Sequence, residues 1–234
     1  MDAHLLADAR LDASVSLAVF RTALAAMARP GRVERLPDAA PDSLAAPLLV
    51  PLALADLEVA VAVLDHPADD RAGSGPWAEL LRAATGARLV DELVAADLVV
   101  ARRAPTPFEI STLRTGDALA PEKGARLVLA CAALRACDHE PHDGEVQLRL
   151  TGPGAASGRT VCVGGVEPAV FAALRESNRD FPAGVDTWLV ADDRSVIALP
   201  RSARIEMRLA AHAALAPEVA HAAAPGSTST NGVN

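Results

Sequence analysis

Thr187-Trp188-Leu189-Val190-Ala191-Asp192-Asp193-Arg194-Ser195-Val196-Ile197-Ala198-Leu199 is the stretch that decides the fold. Two apolar runs, Thr187 to Val190 and Val196 to Leu199, flank the turn-forming Asp192-Asp193-Arg194, and this pattern predicts a hairpin. Three residues cannot hold the crossover helix that parallel neighbours require, so these strands run antiparallel. Upstream the chain alternates between strand-like and helix-like segments. The expectation is therefore an α/β domain whose mixed sheet is flanked by helices.

Outward from the hairpin, Pro168 to Ser177 reads as a helix, Val146 to Leu150 and Arg126 to Leu134 as strands, and Ile205 to Met207 as a last strand. Phe108 to Leu113 is a short helix ended by Gly116, and Asp97 to Ala101 a short strand. Trp77 to Ala84 is a helix that stops at Gly86 after the Asp-, Gly- and Pro-rich connector Asp65 to Gly75. Leu57 to Leu64 is a strand with Val59, Val61 and Val63 on one face, preceded by a buried helix from Leu48 to Ala55. The first strong element is Ser14 to Arg29, where Leu17, Phe20, Leu24 and Met27 step along one helical face as an amphipathic stripe. Pro30-Gly31 ends it. From Ala210 onward alanine and proline repeats lead to a Gly-Ser-Thr stretch. The expected organisation is one domain over residues 1–207 and a flexible tail over 208–234.

Composition removes several classes of function. Lys and Arg number 22 against 30 Asp and Glu, a net charge of −8, which is the wrong sign for a phosphate-backbone binder. Tyrosine is absent, and stacking on single strands would rest on four Phe and two Trp, so no nucleic-acid partner is expected. The best membrane candidate, Leu48 to Leu64, contains Asp56 and Glu58 and has Pro47 and Pro51 on either side of its start, so no span is expected. The start, Met1 to Arg10, lacks the basic region of a signal peptide. Cys131, Cys137 and Cys162 are odd in number and have no C-x-x-C spacing. That argues against a disulfide framework and a zinc knuckle, and fits a cytoplasmic location.

Four groups of residues could carry chemistry. His139 and His142, in Asp138-His139-Glu140-Pro141-His142-Asp143, are close enough to share a metal ion, although a solvated loop needs the same composition. Arg149, Thr151, Gly152 and Gly154 follow a strand and could contact an anion. Their spacing is not that of a dinucleotide fingerprint or a P-loop, and a plain turn is the competing reading. Arg179 and Arg201 are suited to phosphate or phosphonate, or to surface ion pairs. Lys123 is the only lysine, so a Schiff base has one possible nitrogen, and its turn context implies an ordinary exposed ammonium. No G-x-S-x-G elbow exists.

Several segments together resemble a known family, the H subunit (PhnH) of the bacterial carbon–phosphorus lyase system. They are Phe20-Arg21, Ala26-Met27 with Pro30-Gly31, Thr115-Gly116, Ala120-Pro121-Glu122 with Gly124-Ala125, and Leu148 to Gly152 with Gly154. Phe181-Pro182, Gly184, Asp186 and Ala198 to Arg201 complete the set. The resemblance implies a fold like a truncated pyridoxal-phosphate-dependent transferase without its cofactor, and it implies no other cofactor. It also implies an accessory subunit that works with subunits G, I, J and L, transferring ribose triphosphate from ATP to an alkylphosphonate; alone, such a chain is expected to form a homodimer, because an exposed interface seeks closure. The acidic loop Asp138 to Asp143 and the tail lie outside the matched segments. Trp77, Phe181, Pro182 and Trp188 are the candidate partner-interface residues. The alternative is a stand-alone binder of a small phosphorylated or phosphonate ligand through Arg149, Thr151, Gly152, Gly154, Arg179 and Arg201.

Overall fold

The computed structural model describes residues 3–65, 77–137 and 139–209. In chain order the helices are α1 (Ala3–Ala9), α2 (Ala13–Ala28), α3 (Ala46–Leu54), α4 (Trp77–Thr85), α5 (Pro107–Ser111) and α6 (Pro168–Ser177). The strands are β1 (Glu34–Arg35), β2 (Ala60–Leu64), β3 (Arg88–Leu89), β4 (Leu98–Ala101), β5 (Arg126–Cys131), β6 (Ala133–Ala136), β7 (Glu145–Gly152), β8 (Ala155–Gly164), β9 (Asp186–Ala191), β10 (Ser195–Leu199) and β11 (Arg204–Leu209). None of the helices among the described residues is long and apolar enough to cross a membrane. The expected tail lies, from residue 210, outside the described residues, as does most of the connector before α4.

Seven strands form a mixed sheet in the order β1-β10-β9-β5-β4-β2-β3. From β3 to β9 all neighbours are parallel, and the β9–β10 hairpin supplies the antiparallel edge that the short Asp192-Asp193-Arg194 connection demands. Arg194 closes that turn in the left-handed region at φ +70°. Its guanidinium donates to the carbonyls of Pro37 and Ala40 and to Asp42, so the turn also pins the loop before α3.

A second sheet, antiparallel and in the order β11-β7-β8-β6, was not foreshadowed by the sequence reading. Its strand β8 runs through residues 155–164, to which the sequence reading assigned no element, and the segment Arg126 to Leu134 divides at Ala132 so that β5 and β6 join different sheets. The two sheets stack. Leu127 and Leu129 of the first meet Leu148, Leu150, Val161 and Val163 of the second in one core, closed by Ile110 of α5 and Phe171 and Leu174 of α6. The other face of the seven-stranded sheet carries a second core beneath α1 to α4, where Val61 packs with Val59 and Val63.

In two places the packing corrects the sequence reading. The face of α2 turned to the sheet consists of Val15, Val19, Ala23 and Ala26, while the stripe of Leu17, Phe20 and Leu24 stands 47%, 43% and 56% exposed. Small residues on the inner face let the helix approach closely enough for Trp188 Nε1 to donate to the Ala23 carbonyl at 3.0 Å. The cysteines also differ from expectation. Cys137 and Cys162 form a disulfide, because β6 pairs with β8 at Arg135↔Cys162 and brings the two Cα atoms to 5.4 Å. Pairing across strands leaves no sequence spacing to read.

Candidate functional site

The residues singled out from the sequence do not converge on one site. Arg149 lies on the outer face of the second sheet, where its guanidinium meets Glu206 of the neighbouring strand at 3.5 Å. Thr151 is half-buried and pairs with Arg204. Gly152 and Gly154 form the β7–β8 turn, which backs onto other main chain. A Cβ on Gly152 would come within 2.9 Å of the Ser202 carbonyl oxygen, and one on Gly154 within 2.1 Å of that of Ala28. On those sides the turn meets carbonyl oxygens, which repel an anion. Arg179 is exposed and pairs with Glu176 at 2.6 Å and Asp180 at 3.5 Å.

Arg201 is the centre of a different structure. Its backbone N–H donates to Asp186 Oδ1 at 2.8 Å, its Nε and Nη2 donate to Oδ2, and its Nη1 donates to the Pro121 carbonyl. Around this ion pair the Gly184 N–H donates to the Thr115 carbonyl at 2.7 Å, and Asn178 holds Val185 through both its amide atoms. Gly124 must lack a side chain here, since a Cβ would sit 2.4 Å from the Gly184 oxygen and 2.7 Å from Arg201 Nη1. Thr115, Pro121, Gly124, Gly184, Asp186 and Arg201, separate segments in the sequence, thus form one polar knot. It ties the start of β5 to the start of β9 and the end of β10. With its guanidinium fully engaged, Arg201 serves the fold.

Of the expected interface residues, Trp77 and Trp188 are 3% and 6% exposed and belong to the helix-side core. Neither ring stands out from the surface as an anchor; Trp77 is wholly within the core, and Trp188 reaches the outside only as a wall of the cavity beside α2. Phe181 is 62% exposed and Pro182 half-buried, joined by a cis peptide. Lys123 is exposed at the end of a single 3₁₀ turn. His142 faces Glu145 at 3.8 Å, and among the described residues no group of three or more His, Cys, Asp or Glu could hold a metal ion. The remaining thiol, Cys131, is buried, and burial, with Asp193 and Asp192 adding to it, pushes its pKa up to about 12. It stays protonated at neutral pH and is a poor nucleophile.

The feature that sequence reasoning missed is an opening beside α2. A cavity of about 400 Å³ lies between α2 and the amino-terminal ends of the parallel strands. Phe20, Leu24 and Met27 of the helix line one side, and Leu98, Arg126 and Trp188 the other. A second shallow depression lies around α5, bordered by Val94, Phe108 and the Glu109 side chain. Glu109 is held by Arg103 in a two-pronged ion pair and closes a capping box with Thr106. The Arg103 guanidinium, first, and the Thr106 N–H and hydroxyl lower its pKa to about 2. A carboxylate whose folded pKa is depressed stabilises the fold above its unfolded pKa, near 4.5, and loses that contribution as pH falls toward 2. Glu109→Gln is accordingly expected to cost about 1–2 kcal/mol in urea unfolding at pH 7 and only about a quarter of that at pH 2.5. An equal cost at both pH values would sink this account.

Fold and surface together define an α/β protein of two stacked sheets whose candidate anion-binding arginines are engaged by its own carboxylates and carbonyls, and whose uncovered α2 face is apolar. The model of the family described as bacterial phosphonate metabolism protein (PhnH) matches residues 10–206, and the chain belongs to that family. It is also similar to HtxG of Stutzerimonas stutzeri, a protein named as a candidate C-P lyase subunit, at 33% identity over 191 residues, 81% of this chain and 85% of the relative.

Proposed function

We propose that the chain is an accessory, noncatalytic subunit of the carbon–phosphorus lyase complex. It works with the G, I and L subunits, in an assembly that includes J, when ribose triphosphate is transferred from ATP to an alkylphosphonate and adenine is released. The observation that carries this reading is the uncovered apolar stripe of Leu17, Phe20 and Leu24 on a helix whose other face is fully packed. Monomers seldom leave such a surface open unless a partner covers it. Family membership and the name of the Stutzerimonas relative support the same direction. The engagement of Arg201, Arg179 and Arg149 by carboxylates leaves little for a free phosphorylated ligand to bind.

Three finer readings accompany it. The isolated chain closes as a homodimer, with Phe181 and Pro182 offered at its surface, and it works in the cytoplasm. The fold is that of a truncated pyridoxal-phosphate-dependent transferase without the cofactor. The exposure of Lys123 supports this, because a Schiff-base nitrogen is normally set in a desolvated pocket. Co-expression with the G, I, J and L subunits of the same organism, followed by size exclusion and an adenine-release assay on ATP plus methylphosphonate, tests the assignment. The chain is expected to co-elute, and its omission to abolish adenine release. A complex that assembles and releases adenine at full rate without it would end the proposal.

A further inference from the structure

Leu17, Phe20, Arg21 and Leu24 follow the three- and four-residue steps of a helix, so they share one face, about 10 Å long from Leu17 to Leu24. Phe20 and Leu24 also form the rim of the cavity, so the stripe and the cavity are continuous, and whatever covers one caps the other. A small molecule could fill the cavity but would leave Leu17 uncovered. The occupant is therefore a segment of protein with at least one apolar side chain that enters the opening over Met27 and Trp188.

Charge narrows the choice. Two exposed arginines stand in this region, Arg21 within the stripe and Arg126 at the cavity, and neither guanidinium has a hydrogen bond or ion pair among the described residues. The carboxylate that also lines the cavity, Asp186, is already held by Arg201. On a chain of net charge −8, two cations left without acceptors beside an apolar stripe select an acidic counterpart. A second copy related by a twofold axis would bring the same patch, with its own Arg21 and Arg126, against these two. Residues 210–234 contain one acidic side chain, Glu218, and are otherwise almost all alanine, proline and small polar residues. Neither supplies the two carboxylates.

From this we infer that the α2 face, with its cavity, is the docking site for an acidic amphipathic helix of another subunit. That helix places a large apolar anchor in the cavity and Asp or Glu side chains on Arg21 and Arg126. The inference rests on the accessory-subunit reading and specifies which surface that reading uses.

The full chain, with Leu24 replaced by benzoylphenylalanine, is co-expressed with the G, I, J and L subunits, irradiated and mapped by mass spectrometry. Leu24→Asp and Arg126→Glu are purified in parallel. The expected adduct is a peptide of another subunit that carries Asp or Glu within one helical turn of an apolar residue. Both variants should weaken co-elution about tenfold or more with an unchanged melting temperature, since neither side chain supports the core. An adduct to this chain itself, whether to a second copy or to residues 210–234, overturns the inference. So does wild-type co-elution by both variants. In either case co-elution of the unaltered chain still upholds the subunit assignment. Failure of the unaltered chain to co-elute removes the assignment and the docking site together.

Discussion

Gly154→Ala is expected to destabilise the protein by about 3–5 kcal/mol, and Gly144→Ala by about 1 kcal/mol, although the two glycines have nearly the same φ. Their φ angles are +77° and +78°. Each substitution therefore incurs a similar backbone penalty for an L residue in the left-handed region. The surroundings differ. Around Gly144 nothing lies within 4 Å of the new Cβ, whereas at Gly154 it would sit 2.1 Å from the Ala28 oxygen and 3.0 Å from Pro30 Cδ. Neither neighbour can yield easily, because one is the carbonyl of the last residue of α2 and the other a proline ring. The two strands of the second sheet would have to lift from the end of α2. For a chain of this size a loss of that order lowers the melting temperature by roughly 10 °C. Thermal and urea unfolding of both variants measures the difference, and equal losses would show that the close approach of the turn to α2 is not what the glycine serves.

Arg201→Met is expected to cost about 2–4 kcal/mol, and Arg201→Lys to recover only a small part of it. Methionine fills similar volume but leaves the partly buried Asp186 carboxylate with only the backbone N–H of residue 201, and the Pro121 oxygen with only the Gly124 N–H. Lysine restores a charge, but it cannot donate to the carboxylate from two nitrogens and to Pro121 from a third. The same variants separate a folding role from a ligand role. In the proposed complex, any loss of adenine release should track the fraction of folded chain and disappear when the assay is run well below the lowered melting temperature. A fully folded Arg201→Lys chain with no activity in the complex would instead give this arginine a direct part in the chemistry.

Much of the architecture could be read from local signals. The β9–β10 hairpin follows from turn residues between apolar runs, α6 from a proline-started apolar period over Pro168–Ser177, and the end of α4 from Gly86, whose φ is +76°. Legibility fails where two readings are locally equivalent. Helix α2 has apolar residues on both its 15/19/23/26 and its 17/20/24/27 faces, and size favoured the second. The structure uses the first because β9 brings Trp188 up against it. Strand β8 reads as a loop since Ser157 and Gly158 lack strand propensity, and it is drawn into the sheet by pairing with β7 and β6. The polar knot was visible only as scattered Gly, Pro and Arg residues. Bond partners such as Thr115 with Gly184, or Pro121 with Arg201, carry no signature that links them along the chain.

The order of strands in the large sheet also bears on how the chain is made. β5, at residues 126–131, has β9, at residues 186–191, as its neighbour, and β1, at residues 34–35, waits for β10 at residues 195–196. A ribosome synthesising the protein from its amino terminus exposes α2, β2, β4 and β5 long before the strands that complete their sheet have emerged. Until residue 191 clears the exit tunnel, β5 is an open edge of nearly continuous apolar sequence, a template for pairing with other nascent chains. Folding of this subunit therefore finishes late in its own synthesis. Truncation anywhere before β10 should give aggregate in place of a smaller folded protein.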